Sequence, residues 1–239
     1  YWHSFTASPN LKSFLIVSFL IALLILIRPT DILIILTFPI FISINGWKPT
    51  YNWLKKQRVA YVYSLLIGSS LLMLQLSYWK LQSGSFFIWS YSGEGFDFSQ
   101  PEFFNVLFSY KKGLFVYTPL AALSCIYLFF GNLSFKIKSW LFIFFILNTY
   151  VISSWWCWWY GGSYGMRPWM DFLPILMITL AYYLNQLKKT FLYAFYILAP
   201  LSIPINLIQT YQYSRGIMHW DQMTKDKFWQ IFLKTDRAF

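Results

Sequence analysis

Acidic side chains are scarce in this chain: eight Asp and Glu stand against nineteen Lys and Arg, and the four charged types make up only 11% of 239 residues. A soluble domain carries roughly 25%, so an ordinary water-facing surface is excluded. Cysteine is nearly absent as well. Two are too few for a disulfide framework, and Cys125 and Cys157 both read as free thiols. The two histidines, His3 and His219, lie near opposite ends, and neither a His-x-x-x-His nor a Cys-x-x-Cys spacing occurs. No metal or redox site is indicated, and no cofactor. The glycines match neither a phosphate-binding P-loop nor a dinucleotide fingerprint. Asn132-Leu133-Ser134 has the form of a glycosylation triplet, but it falls in a short loop read as cytoplasmic and carries no weight.

What the chain has instead is apolar mass: 58% of its residues are hydrophobic and 23% aromatic. Apolar stretches recur at 11–27, 32–46, 61–79, 114–131, 139–153, 169–187 and 190–208, each close to the length that crosses roughly 30 Å of hydrocarbon. Backbone in lipid must satisfy its own hydrogen bonds, so these segments are helices. The expectation is an all-α polytopic integral membrane protein with about seven transmembrane helices, residues 1–239 forming one multi-spanning domain. The second and fifth stretches are short for a crossing. The net charge of +11 does not indicate nucleic acid, because the basic residues are scattered between apolar runs rather than gathered on one polar face. Without an initiator methionine or a signal-peptide pattern at its start, the chain is expected to be a processed or truncated piece of a longer one.

Charge sets the orientation. With the start of the chain inside, one side holds Lys12, Lys48, Lys55, Lys56, Arg58, Lys136, Lys138, Lys188 and Lys189 and no acid, while all eight acids fall on the other side. Short loops rich in Lys and Arg are cytoplasmic. The expected location is a bacterial inner (cytoplasmic) membrane, multi-pass, with the C-terminus outside. The outer side then comprises a tight turn at Arg28 to Asp31, a long loop at about 80–113, an aromatic loop at about 154–168 and a tail at about 210–239. In the long loop Phe86, Phe87, Trp89, Phe96, Phe98, Phe103, Phe104 and Phe108 supply apolar surface that needs covering, so the loop is expected to be partly ordered along the membrane surface.

The densest chemical signal is the aromatic loop, Ser154-Trp155-Trp156-Cys157-Trp158-Trp159-Tyr160-Gly161-Gly162-Ser163-Tyr164-Gly165-Met166-Arg167-Pro168. An interfacial aromatic belt explains part of it. Aromatic faces beside one guanidinium also suit a sugar joined to a phosphate, by stacking on the ring and bidentate pairing with the anion. Trp155, Trp156, Trp158, Trp159 and Tyr164 are therefore candidates for sugar or lipid contact. Arg167-Pro168, Arg28-Pro29 and Lys111-Lys112-Gly113 each precede an apolar stretch, so three helix N-termini flanked by cations are expected on one side, a combination suited to phosphate. Arg28, Lys111, Lys112 and Arg167 are the phosphate candidates, with anchoring to headgroups as the plainer alternative. The catalytic residue is unknown from sequence. Asp171, Glu94 and Asp97 are candidates for a general base; Glu102 lies in the same outer loop as Glu94 and Asp97, and Asp31 reads as a helix cap. Asp171 is expected one turn into its helix, paired with Arg167.

The stretch Trp158 to Arg167, with Leu26-Ile27-Arg28-Pro29-Thr30-Asp31 and Lys112-Gly113-Leu114-Phe115-Val116-Tyr117-Thr118-Pro119, resembles the later part of bacterial GT-C glycosyltransferase-like membrane proteins. These are similar to the dolichyl-phosphate-mannose protein mannosyltransferase group, in particular its Bacteroidetes members, as are Gln209-Thr210-Tyr211-Gln212-Tyr213 and Met223-Thr224. The resemblance implies sugar transfer from a polyprenyl-phosphate carrier on the extracytoplasmic face, with the polyprenyl-phosphate-linked sugar as donor substrate. It also implies that the family's catalytic aspartate lies in an early outer loop, ahead of the point where this chain begins. The alternative is a non-catalytic membrane subunit or scaffold that binds lipid or a partner protein, docked through the basic tail from Arg215 to Arg237. Expected partners are membrane lipid, the polyprenyl-phosphate carrier and another membrane protein chain; nucleic acid is not among them. A transporter is weaker still, since charges deep within the helices are few.

The charge split makes a direct prediction. An impermeant thiol reagent applied to intact cells should label a cysteine placed after residue 225 and leave one placed at Gln57 untouched; labelling at Gln57 would reverse the orientation.

Overall fold

A computed structural model describes residues 1–88 and 91–236. Trp89 of the long loop and Arg237 of the tail lie outside the described residues. All regular structure among the described residues is helical, with one isolated antiparallel bridge between Phe96 and Trp155. The all-α expectation holds. The chain divides into two compact units: Tyr1–Gly95 with Ser134–Asn148, and Phe96–Leu133 with Thr149–Phe239.

The first unit opens with α1 (Trp2–Ala7) and α2 (Leu11–Ile27). Asn10 caps α2, its side-chain oxygen accepting from the Ser13 N–H at 2.9 Å. The helix stops at Ile27 because Arg28 precedes a proline and takes extended backbone. A nine-residue 3₁₀ segment, Pro29–Thr37, follows and runs into α3 (Phe38–Asn45). The 3₁₀ winding rises about 2.0 Å per residue against about 1.5 Å for the α form. Pro29 to Asn45 together therefore reach about 30 Å.

After α4 (Trp47–Lys56) comes α5 (Arg58–Ser83), which packs on α2. Phe14 meets Tyr61 with ring centroids 5.8 Å apart, and the Ser18 and Ser64 hydroxyls are 2.8 Å apart. Residues advance together along both helices, so α2 and α5 run parallel and start at the same end. The segment 29–45 is the return between them. Phe5, with no exposed surface, ties these pieces together by touching Phe14, Phe38 and Trp53.

The second unit contains α6 (Phe103–Phe108), α7 (Leu114–Tyr117), α8 (Pro119–Phe130), α10 (Leu173–Leu184), α11 (Lys189–Ser214) and α12 (Lys225–Ile231). Helix α9 (Phe135–Ser153) belongs to the first unit through Asn148 and to the second from Thr149. The apolar stretch at 114–131 is not one helix: Thr118, with non-helical backbone ahead of Pro119, separates α7 from α8. The stretch at 169–187 is likewise shorter, since residues up to Phe172 form turns and the α-helix starts at Leu173. Pro200 and Pro204 are accommodated inside α11. Among the described residues, α5 and α9 are long and apolar enough to cross a membrane, while 11–27, 29–45, 119–129 and 173–184 are shorter apolar helices.

Phe5→Ala should cost about 3–5 kcal/mol of stability, because a fully buried ring shared by four elements leaves a cavity. Phe19→Ala on the exposed side of α2 should change it by about 0.5 kcal/mol or less. Denaturant unfolding of the purified chain in detergent checks this; equal effects would remove Phe5 from its central place.

Candidate functional site: the aromatic loop

The last turn of α9 starts the site. Its final carbonyls lack partners in the helix, and the segment after Gly95 supplies them: the Asp97 N–H donates to the Ser154 oxygen at 2.6 Å and the Glu102 N–H to the Ser153 oxygen at 3.0 Å. Phe96 packs edge-on to Trp155 at 4.8 Å, and Phe98 and Phe103 pack on Tyr150. This part of the long loop is thus ordered against the start of the aromatic loop. The Asp97 carboxylate accepts from the Ser99 N–H at 2.9 Å and the Ser99 hydroxyl at 2.5 Å, which holds it below the usual carboxylate range. Glu102 accepts from the Asn105 side chain at 2.8 Å.

The loop then folds around a lysine. Lys112 is 1% exposed, and a buried ammonium is costly unless its protons are taken up. Its Nζ donates to the Gly161 oxygen at 2.9 Å, to the Ser163 hydroxyl at 2.9 Å and to the Ser163 backbone oxygen. Two chain features make this possible. A Cβ on Gly113 would lie 2.5 Å from the Ser109 nitrogen, so only glycine allows the turn that aims Lys112 inward. Gly165 holds a left-handed φ of 61° and would bring a Cβ to 3.4 Å from Tyr117, which packs edge-on to Tyr164. Burial, with the positive charges of Arg167 and Lys111 close by, lowers Lys112 from its ordinary 10.5 to about 8.

Lys111, its neighbour in sequence, points elsewhere. Its Nζ stands 3.4 Å from the centre of the Trp159 ring and 5.7 Å from that of Trp158, and forms an ion pair with Asp221. The Tyr164 hydroxyl lies 2.8 Å from Asn206 Oδ1 and 2.7 Å from Gln209 Oε1. A phenol has one proton. Asn206 uses its own N–H₂ on the Ser202 oxygen, and the Tyr164 O–H is shared between the two amide oxygens. Burial pushes the Tyr164 phenol up to about 12.

Arg167 opens a single 3₁₀ turn, Arg167–Trp169, with Pro168 in its first turn. Met166 and Trp169 on either side are buried, at 5% and 0% exposure, while Arg167 itself is exposed. Its backbone is therefore fixed and its guanidinium displayed. Trp156, at 54% exposure, is the most open of the four loop tryptophans; Trp158 is buried, Trp159 carries Lys111 on its face, and Trp155 is sandwiched between Phe96 and Tyr160.

Several sequence expectations change here. Lys111, Lys112 and Arg167 are brought together, whereas Arg28 and Glu94 belong to the other unit. None of the three cation-flanked starts is a long α-helix: Arg28 precedes a 3₁₀ segment, Lys112 a four-residue helix and Arg167 one turn. A summed dipole needs aligned α-helical peptides, so local charge rather than helix dipole supplies the positive field. Asp171 is exposed and sits in the turn ahead of α10 rather than one turn inside it, and Asp31 is buried in the first 3₁₀ turn.

The tail is not free. Gln209 to Tyr213 complete α11; the Gln212 side chain donates to the Ile231 and Lys234 oxygens, and Phe228 packs on Tyr110 and Tyr117. This fold-back brings in Asp221, which sequence reading did not select. His219 Nδ1 accepts from the Asp221 and Gln222 N–H groups and shapes the turn that presents Asp221 to Lys111. Comparison with known protein families, curated proteins and solved structures finds no match to this chain.

Lys112→Met keeps the stem but orphans three acceptors, and should cost about 1–3 kcal/mol for the groups left unsatisfied. The pH dependence is the sharper readout. Because the folded pKa lies below 10.5, near 8, the unfolded chain binds more protons between these values and stability rises with pH across that window. Thermal melts from pH 7.5 to 10.5 should show this rise in the native chain relative to Lys112→Met; parallel curves would contradict the buried ammonium.

Proposed function

We propose that the chain is a multi-spanning protein of about seven membrane helices in a bacterial inner membrane, and that its aromatic loop binds a polyprenyl-phosphate-linked sugar on the extracytoplasmic face, as a glycosyltransferase-like protein does. The observation that carries this reading is the exposed Arg167, held at a fixed backbone position beside two further cations on a tryptophan-lined loop. A guanidinium offers two parallel donors to a phosphate. Lys111 extends the positive field along the Trp159 face, and Trp156 offers an open aromatic surface to a sugar or to the first isoprene units. Lys112 acts in this reading through its charge and through the loop it holds, since its own donors are committed to Gly161 and Ser163.

A second reading, a non-catalytic subunit or scaffold that binds the same lipid, is favoured by the state of two carboxylates. Asp97 is stabilised as the anion by Ser99, and Asp221 is paired with Lys111. Both carboxylates are thus engaged by partners within the chain.

Arg167→Ala should weaken polyprenyl-phosphate binding roughly ten- to a hundredfold, the equivalent of about 1.5–3 kcal/mol for a charge-assisted contact, and Arg167→Lys should weaken it less. Binding and thermal stability are measured together, with Asp171→Asn as the companion variant. Unchanged binding, with equal loss of stability in Arg167→Ala and Asp171→Asn, would leave Arg167 a structural residue only. Release of polyprenyl phosphate from a polyprenyl-phosphate sugar would decide for the transferase over the scaffold.

A further inference from the structure

We propose that α4, with the starts of α2 and α5, forms a docking surface for the headgroups of anionic phospholipids, separate from the aromatic loop. Three observations within the first unit carry it. First, α4 is amphipathic. Thr50, fully buried, and Trp53, packed between Phe5 and Phe14, anchor one side of the helix, while Lys48, Lys55 and Lys56 are exposed. At 100° per residue Lys48 and Lys55 fall on the side away from Thr50 and Trp53, and Lys56 falls on the flank next to Trp53.

Second, exposed aromatics lie between the two sides. Trp47 and Tyr51 are 47% and 59% exposed, and the helical spacing puts them on the flank between the packed face and Lys48 and Lys55. Amphipathic rings there suit the level of the headgroups. Third, α2 and α5 start at the same end of their parallel pair, the end where α4 packs on Phe5 and Phe14. Lys12 and Arg58, both exposed, therefore join the three lysines of α4. Before Glu94 the sequence contains a single acid, Asp31, and it lies beyond the far end of α2. The surface is five cations with aromatics at its edge and no acid among them. Charge complementarity selects an anionic headgroup, each Lys or Arg at a charged bilayer surface adding about 1 kcal/mol, or roughly fivefold in affinity.

The test uses the full chain in nanodiscs of phosphatidylcholine with and without phosphatidylglycerol, reading the number of phosphatidylglycerol molecules retained and the melting temperature. The triple variant Lys48→Gln, Lys55→Gln, Lys56→Gln is compared with a control that removes three exposed lysines of the second unit, Lys225→Gln, Lys227→Gln, Lys234→Gln. The native chain and the control should retain phosphatidylglycerol and melt higher in its presence, an effect that weakens with salt. The α4 variant should melt normally in pure phosphatidylcholine and bind phosphatidylglycerol at least tenfold more weakly. No preference for phosphatidylglycerol in the native chain, or equal loss in both variants, would overturn the proposal. Should the α4 variant melt early in phosphatidylcholine, the single variants Lys48→Gln and Lys55→Gln each still have to reduce retention.

Discussion

A lysine ammonium buried beneath the aromatic loop is the constraint on which the second unit depends. Lys112 can stay inside only while Gly161 and Ser163 turn their oxygens toward it. That requirement bends the loop, which in turn brings Tyr164 to Asn206 and Gln209 on α11. Buried Met166 and Trp169 then fix the point at which Arg167 emerges. The same turn at Gly113 that sends Lys112 inward leaves Lys111 on the outside, over Trp159 and against Asp221. One buried charge thereby arranges the partly covered Lys111 and the exposed Arg167, and the proposed anion site follows from the packing beneath them.

The two units use their cations differently. In the second, a cation is an internal fastening whose donors are consumed by backbone oxygens, and the tail closes over the neighbouring tyrosines through Gln212 and Phe228. In the first, aromatic packing around Phe5 does the internal work, so Lys48, Lys55 and Lys56 are all left facing outward. Chemistry proposed for the aromatic loop and lipid contact proposed for α4 thus rest on unrelated interactions, and a change in one need not disturb the other.

Much of the helical content was legible from hydropathy alone, because an apolar run has few ways to satisfy its backbone other than as a helix. The dense aromatic loop was legible too, whereas Pro168, expected to open a long helix, opens a single 3₁₀ turn. The 3₁₀ segment after Pro29 was not: its run of Ile and Leu looks like any apolar helix, and only the reach required between parallel α2 and α5 distinguishes it. Lys111 and Lys112 are identical in type and adjacent, so nothing local tells which is buried; the Gly113 turn decides. Asp221 lies 110 residues from Lys111, beyond any spacing rule, and enters through a fold-back that the basic charge of the tail concealed. Phe228 and Ile231, three residues apart on α12, were the apolar signal for that fold-back.

The central claim is that this fastened loop presents Arg167 to a lipid phosphate. The most direct measurement is an experimental structure of the chain in a nanodisc with bound polyprenyl phosphate. The account predicts the phosphate against the Arg167 guanidinium, with Lys112 still enclosed by Gly161 and Ser163 and the first isoprene units along Trp156. A phosphate seated away from Arg167, or a loop that releases Lys112 to reach it, would contradict the account.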